Sequence, residues 1–140
     1  MTPAQIALVK DSFVKVLPMK EVAAAAFYER LFTLDPSLKP LFKGDMRAQG
    51  QKLMFAIGSV VAALDHLDTV IEGVQSMARR HVGYGVKDTH YATVGTALLD
   101  TLASAFGDSF TPDLHDAWAT AYGILSRAMI EAANNPAQAA

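Results

Sequence analysis

His81 is the residue whose type and position point most directly to chemistry. The apolar residues before it recur at helical spacing: Val70, Val74, Met77 and Ala78. Gly83 and Gly85 follow and favour the end of that helix, which places His81 in its last turn. An imidazole at a helix end beside an apolar stretch can serve as an axial ligand of haem iron. It can equally be an ordinary residue at the C-terminal end of a helix, where the partial positive charge of the ring interacts favourably with the helix dipole.

The composition is that of one folded domain, which we place at 1–140. Hydrophobic residues make up 51% of the chain and charged residues 19%, which provides apolar surface for one core and excludes a disordered chain. The formal net charge of −2 gives no electrostatic reason to expect a nucleic acid as partner. The sequence contains no cysteine, which excludes disulfides, thiolate metal sites and haem attached through cysteine.

The apolar segments of the sequence are too short and too often interrupted by charged or amide residues to span a membrane. The first residues lack the basic start and the unbroken apolar centre of a signal peptide. We therefore expect a cytoplasmic protein.

Apolar residues recur every three or four positions through most of the chain and predict helices. The predicted helical segments are about 3–17, 19–34, a short piece at 36–42, 48–65, the segment that carries His81, 91–106 and 112–133. The alternating pattern typical of strands is absent from the sequence. The sequence therefore predicts an all-α fold of six to seven helices.

Side chains that can cap helices stand before several of these segments. Thr2 and Gln5 form the pattern of a capping box at the first helix. Asp88 or Thr89 is expected to cap the helix after His81. Residues 1–3 and 135–140 are expected to be frayed termini.

The order of these elements and of several short motifs resembles that of bacterial globins. The motifs are Phe27-Tyr28 with Arg30-Leu31-Phe32, Asp35-Pro36 with Leu41-Phe42, Gln49 with Leu53, Arg80-His81 with Gly85-Val86, His90-Tyr91 with Val94-Gly95 and Leu98-Leu99, and Ala117-Trp118 with Ala121-Tyr122-Gly123. The resemblance covers roughly residues 6–130 of the chain. It is to the globin domain of flavohaemoglobins and to their single-domain relatives of the Vitreoscilla type, and it implies a globin fold around a haem pocket.

The resemblance implies roles for seven residues around a haem b. His81 matches the proximal histidine that binds the iron, and Phe42 matches the aromatic residue that packs against the porphyrin. The residues that match the distal, ligand-binding side are Tyr28, Gln49 and Leu53. Tyr91 matches a tyrosine that contacts the proximal histidine. His90 lies near the expected haem edge, where it can touch a propionate.

Two of the distal residues offer hydrogen-bond donors to a gas bound by haem. Tyr28 carries a hydroxyl and Gln49 an amide, and a hydrogen bond to a charged acceptor is worth roughly 1.5–3 kcal/mol. Leu53, one turn after Gln49, lies on the same helix face and can keep the site dry. Simpler interpretations also exist: a tyrosine with its hydroxyl at the surface, a solvated glutamine and, for Phe42, an ordinary core residue.

One position departs from the resembled family. Relatives often carry a glutamate late in the last helix, which joins the tyrosine matched by Tyr91 in a network at the proximal histidine. The matching position here is Ala133. Glu131 lies two residues earlier, about 200° round the helix, so it should point elsewhere unless the helix is locally offset. The absence of that carboxylate argues against strong activation of bound oxygen towards cleavage of the O–O bond.

The resemblance implies two main functions. The first is reversible binding of dioxygen for transport or storage, with carbon monoxide as a further ligand. The second is nitric oxide dioxygenation, in which nitric oxide is converted to nitrate. The sequence contains no Gly-rich dinucleotide motif, so turnover would need a separate reductase. A haem-based gas sensor and a haem-free globin-like interaction module are the alternatives, and either a monomer or a homodimer fits the sequence.

Overall fold

Every regular element in the described part of the chain is helical. The computed structural model describes residues 1–42, 44–66, 71–83 and 87–134. The α-helices are α1 (Pro3–Val16), α2 (Lys20–Leu34), α3 (Met46–Ala62), α4 (Ile71–Gly83), α5 (Asp88–Phe106) and α6 (Pro112–Asn134). Short 3₁₀ segments lie at Leu17–Met19, Pro36–Leu41 and Gly107–Ser109. The predicted all-α fold is confirmed, and none of the described helices has the length and hydropathy needed to cross a membrane.

Helix α1 begins with the predicted capping box. Thr2 Oγ1 accepts the N–H of Gln5 at 3.1 Å, and Gln5 Oε1 accepts the N–H of Thr2 at 3.0 Å. The two bonds satisfy backbone donors that the first helical turn leaves without a partner. Thr2 and Pro3 thus form a capped helix start within the segment 1–3, for which we expected fraying, and 135–140 lies outside the described residues.

Helix α3 begins earlier than predicted. The sequence pattern placed its start at about residue 48, after a polar corner, but the helix begins at Met46. The physical reason is the preceding Asp45, whose carboxylate accepts the N–H of Arg47 at 3.0 Å and so acts as an N-cap.

The predicted cap of helix α5 is wrong. Neither Asp88 nor Thr89 precedes the helix, which begins at Asp88 with Lys87 as its N-cap residue. The acceptor comes instead from inside the first turn, where His90 Nδ1 accepts the N–H of Lys87 at 3.0 Å. This bond is the reciprocal half of a capping box, in which the N3 side chain accepts the N–H of the N-cap residue.

Among the described residues, three clusters of buried side chains hold the helices together. The α1 cluster consists of Val9, Phe13, Val16, Ala23, Val61, Leu64, Leu102, Leu114, Ala117, Trp118 and Ala121. The α2 cluster consists of Phe27, Tyr28, Leu31, Leu38 and Ala97. The α4 cluster consists of Val74, Ala78, Tyr91, Met129 and Ala132. Of the predicted site residues, the α2 cluster contains Tyr28, with Phe42 and Leu53 packed against it, and the α4 cluster contains Tyr91.

A buried pair of hydrogen bonds crosses the α1 cluster. The Trp118 indole N–H donates to Ser12 Oγ at 2.9 Å, and the Ser12 hydroxyl donates to the Val9 carbonyl at 3.0 Å. Ser12 is only 5% exposed and Trp118 only 3%, so water cannot replace these partners. The pair therefore ties α6 to α1.

Ser12→Ala is expected to lower the free energy of unfolding by about 1–3 kcal/mol, because the buried Trp118 N–H loses its acceptor. Urea denaturation followed by circular dichroism measures the change. Ser59→Ala is the matched control, since its hydroxyl also donates to a helix carbonyl, that of Phe55 at 2.9 Å, but is exposed. Equal losses in the two variants would contradict the importance of the buried bond.

Candidate functional site

His81 lies in the last turn of α4 with its side chain half-buried. Its Nδ1 is 2.7 Å from the carbonyl oxygen of Met77. A carbonyl oxygen only accepts, so Nδ1 carries the proton and Nε2 carries the lone pair. Burial is the main cause that lowers the pKa of His81 below its usual 6.5; the bond to Met77 opposes this shift and the Arg80 charge adds to it. The imidazole is therefore neutral near pH 7, and Nε2 is suited to bind a metal.

The Met77 carbonyl is a part of the site that was not predicted from the sequence. The available signal was the spacing of four residues, which places Met77 and His81 on the same helix face. The contact also requires a particular rotamer of the His81 ring, and a sequence pattern does not determine rotamers. Because a carbonyl is neutral, it orients the ring without the negative charge that a carboxylate would bring.

Tyr28 and Gln49 come together from two helices. Tyr28 is buried in α2, and the Gln49 side chain on α3 lies close enough to the Tyr28 hydroxyl to lower its pKa. The helices approach closely because Gly50 packs on Ala24, where a Cβ added to Gly50 would lie 3.0 Å from the Ala24 methyl. Burial raises the pKa of Tyr28 above 10.0 and outweighs the lowering by Gln49, so the hydroxyl stays protonated and can donate.

Phe42 and Leu53 supply apolar surroundings to Tyr28. The Phe42 ring meets the Tyr28 ring edge-on with centroids 5.3 Å apart, and its centroid lies 5.4 Å from that of Phe32. Leu53 packs against the same α2 cluster. Both Phe42 and Leu53 are only half-buried, so each retains apolar surface that a bound group can cover.

Tyr91 and His90 lie in the first turn of α5. Tyr91 is buried in the α4 cluster, which includes residues of the helix that carries His81. The Tyr91 carbonyl accepts the hydroxyl of Tyr122 at 2.6 Å, a contact that was not predicted. His90 is half-buried, and its Nδ1 accepts a hydrogen bond from the N–H of Lys87.

Two other histidines lie away from these clusters at exposed positions. His66 Nε2 is 3.4 Å from a carboxylate oxygen of Asp65, and His115 Nδ1 is 3.1 Å from one of Asp116. Glu131 is exposed on α6.

The chemistry of these residues fits a haem. Haem is a mostly apolar group whose iron can bind a nitrogen ligand and a gas. The chain offers a neutral imidazole at His81 on α4 and neutral donors at Tyr28 and Gln49 on α2 and α3. The half-buried apolar side chains that adjoin the two clusters include Phe42, Leu53, Met77, Val94 and Leu98. A ligand nitrogen, polar donors and apolar walls are what such a group requires.

Comparison with known proteins shows related sequences along most of the chain. A flavohemoprotein of Bordetella pertussis is 33% identical over 133 residues, which cover 93% of this chain and 33% of that protein. A flavohemoprotein of Bacillus subtilis is 30% identical over 128 residues, which cover 89% of this chain and 32% of that protein. The chain thus spans about a third of the length of these relatives.

Other matches cover most of both proteins. A neuroglobin of Danio rerio is 32% identical over 136 residues, which cover 87% of this chain and 86% of that protein. The structure of a bacterial globin from Campylobacter jejuni superposes with a TM-score of 0.85 at 26% identity, over 98% of this chain and 99% of that one. The globin family model matches residues 25–129. The chain belongs to the globin family.

Proposed function

We propose that this chain binds dioxygen reversibly through a haem b held by His81. Haem-based gas binding is the function that membership of the globin family and the likeness to flavohemoproteins support. The observation that carries the choice of dioxygen is the contact between Tyr28 and Gln49, which sets two neutral donors side by side in apolar surroundings. Dioxygen draws electron density when it binds, so it gains from such donors more than carbon monoxide does.

Haem would supply ferrous iron as the binding centre for the gas. His81 would hold that iron through Nε2, and the Met77 carbonyl would keep the ring in one tautomer and one orientation. Phe42 would pack against the porphyrin, Tyr91 would contact the proximal ring, and His90 would lie near a propionate.

Tyr28 and Gln49 would act on the gas by donating hydrogen bonds. Because burial raises the pKa of Tyr28, its hydroxyl keeps the proton that it donates. Each bond to a charged acceptor contributes roughly 1.5–3 kcal/mol and slows the release of oxygen. Leu53 would exclude water, which strengthens hydrogen bonds within the site.

The test is reconstitution of the purified protein with haem, followed by absorption spectra and the oxygen dissociation rate of the ferrous form. A Soret band with slow oxygen dissociation is the expected result. If the protein binds haem but releases oxygen as fast as a haem protein without hydrogen-bond donors near the gas, the donor role of Tyr28 and Gln49 is ruled out. A protein that shows no Soret band after reconstitution does not bind haem, and the proposal would then be wrong.

Nitric oxide dioxygenation is the second candidate, favoured by the likeness to flavohemoproteins and by the same donor pair. It requires a supply of electrons, for which we propose a separate cytoplasmic reductase as partner. The neutral Met77 carbonyl at His81 Nδ1 favours slower oxygen activation than a carboxylate would give. We therefore place reversible oxygen binding ahead of nitric oxide dioxygenation.

Nitric oxide consumption separates the two candidates. Nitric oxide is added to the oxygenated protein with and without an NADH-dependent flavoprotein reductase, and nitrate is measured. Repeated nitrate formation with the reductase would establish the dioxygenase. One equivalent of nitrate per haem under both conditions would leave oxygen binding as the function.

A further inference from the structure

Gly95 on α5 and Tyr122 on α6 pack so closely that a side chain at position 95 has no room. A Cβ built on Gly95 would lie 2.7 Å from Cε2 and 3.0 Å from Cδ2 of the Tyr122 ring. Contacts of 2.7 Å are well inside the normal separation of carbon atoms, so the ring would have to move. Glycine therefore allows the Tyr122 ring to lie directly against the backbone of α5.

The hydroxyl of Tyr122 forms a hydrogen bond to α5, one turn before Gly95. It donates to the Tyr91 carbonyl oxygen at 2.6 Å. In an α-helix that carbonyl also accepts the N–H four residues on, which belongs to Gly95, so Tyr122 uses its second lone pair. Burial, with a smaller contribution from Tyr91, raises the pKa of Tyr122, which keeps the hydroxyl a donor.

The residue that Tyr122 contacts, Tyr91, is buried together with residues of α4 and α6. Tyr91 is 7% exposed and shares the α4 cluster with Val74 and Ala78. Ala78 lies one turn before His81 on α4 and is fully buried. A shift of the Tyr91 backbone therefore changes the buried cluster in which Val74 and Ala78 of α4 lie.

We infer that Tyr122 is a positioning residue for His81. It holds the Tyr91 carbonyl, which sets the place of Tyr91 against α4 and so the orientation of the imidazole. This inference rests on the proposed function, because it takes His81 as the ligand of haem iron. Helix α6 would then act on the proximal side through a neutral hydroxyl, in a chain whose position 133 is alanine.

Tyr122→Phe tests the inference because it removes only the hydroxyl. The readouts are the Fe–His stretching frequency of the ferrous haem protein, measured by resonance Raman, and the rate of haem transfer to excess apomyoglobin. We expect the stretching band to shift and broaden. We expect haem loss to become about tenfold faster or more, as when a metal ligand loses the partner that orients it.

Gly95→Ala is the second variant and perturbs the same contact from the other side. Its Cβ would push the Tyr122 ring away from α5 and lengthen the bond to Tyr91. The Fe–His band should shift here as well. This variant keeps the inference testable if Tyr122→Phe fails to fold.

Two substitutions serve as matched controls. Thr101→Val removes a buried hydroxyl that donates to another carbonyl of α5, that of Ala97, at 2.7 Å. Gly123→Ala adds a Cβ to a helical glycine where, apart from its chain neighbours and the backbone of its own helix, no atom lies within 4 Å of the new carbon. Both controls should leave the Fe–His band where it is in the parent.

The outcomes distinguish this inference from the proposed function. A Soret band in every variant with an unchanged Fe–His band in Tyr122→Phe and Gly95→Ala would overturn the inference alone. A lower free energy of unfolding without a shift of that band would also overturn it, because the contact would then be structural only. Absence of a Soret band from the parent would overturn both.

Discussion

His81→Gly is expected to abolish the coordination of haem iron by the protein. The variant loses Nε2, the nitrogen that carries the lone pair because Nδ1 donates to Met77. Its ferrous form should lack the Fe–His stretching band, and haem should leave on the order of 100-fold faster, since even loss of an outer partner of a ligand costs up to about 100-fold in affinity. Free imidazole should enter the space left by the side chain and restore the band.

His66→Gly is the control for this substitution, because His66 is an exposed histidine beside Asp65 outside the site. It should keep the parent Soret and Fe–His bands. A parent-like Fe–His band in His81→Gly would contradict the assignment of the proximal ligand. Failure of imidazole to rescue a folded His81→Gly protein would count against it as well.

Oxygen should dissociate from Tyr28→Phe roughly 10- to 100-fold faster than from the parent, since a lost hydrogen bond of roughly 1.5–3 kcal/mol corresponds to that factor. The substitution keeps the ring, whose centroid lies 5.3 Å from that of Phe42 and 6.0 Å from that of Phe32. It removes only the hydroxyl that meets Gln49. Stopped-flow displacement of oxygen by carbon monoxide measures the rate.

Carbon monoxide dissociation from the same variant is the internal control. Carbon monoxide carries little negative charge when bound, so its release should change much less than that of oxygen. Equal acceleration for both gases would show that Tyr28 acts by packing. An unchanged oxygen rate would exclude the hydroxyl as a donor to the ligand.

Helices and their local ends were predictable from the sequence, because they depend on residues within four positions of one another. The spacing of apolar residues predicted the six α-helices found in the described residues, and the pairing of Thr2 with Gln5 predicted the start of α1. The position of His81 in the last turn of its helix followed from the same spacing and from Gly83.

The start of α5 shows where local rules are insufficient. Asp88 and Thr89 are common capping residues, yet the ring of His90 accepts the N–H of Lys87. Whether a side chain reaches a backbone N–H at the helix start depends on its rotamer. Similarly, the bond from His81 to Met77 requires one rotamer among several that the spacing permits.

Contacts between helices depend on the tertiary structure. Family resemblance, not spacing, placed Tyr28 and Gln49 in one site, and their contact requires the close approach of α2 and α3 at Gly50. The bond from Tyr122 to the Tyr91 carbonyl had no sequence signal. The sequence by itself determined which helices form, how α1 is capped and where His81 stands. Only close packing of the core decided which side chains meet, because helical periodicity identifies the buried face but not its partner.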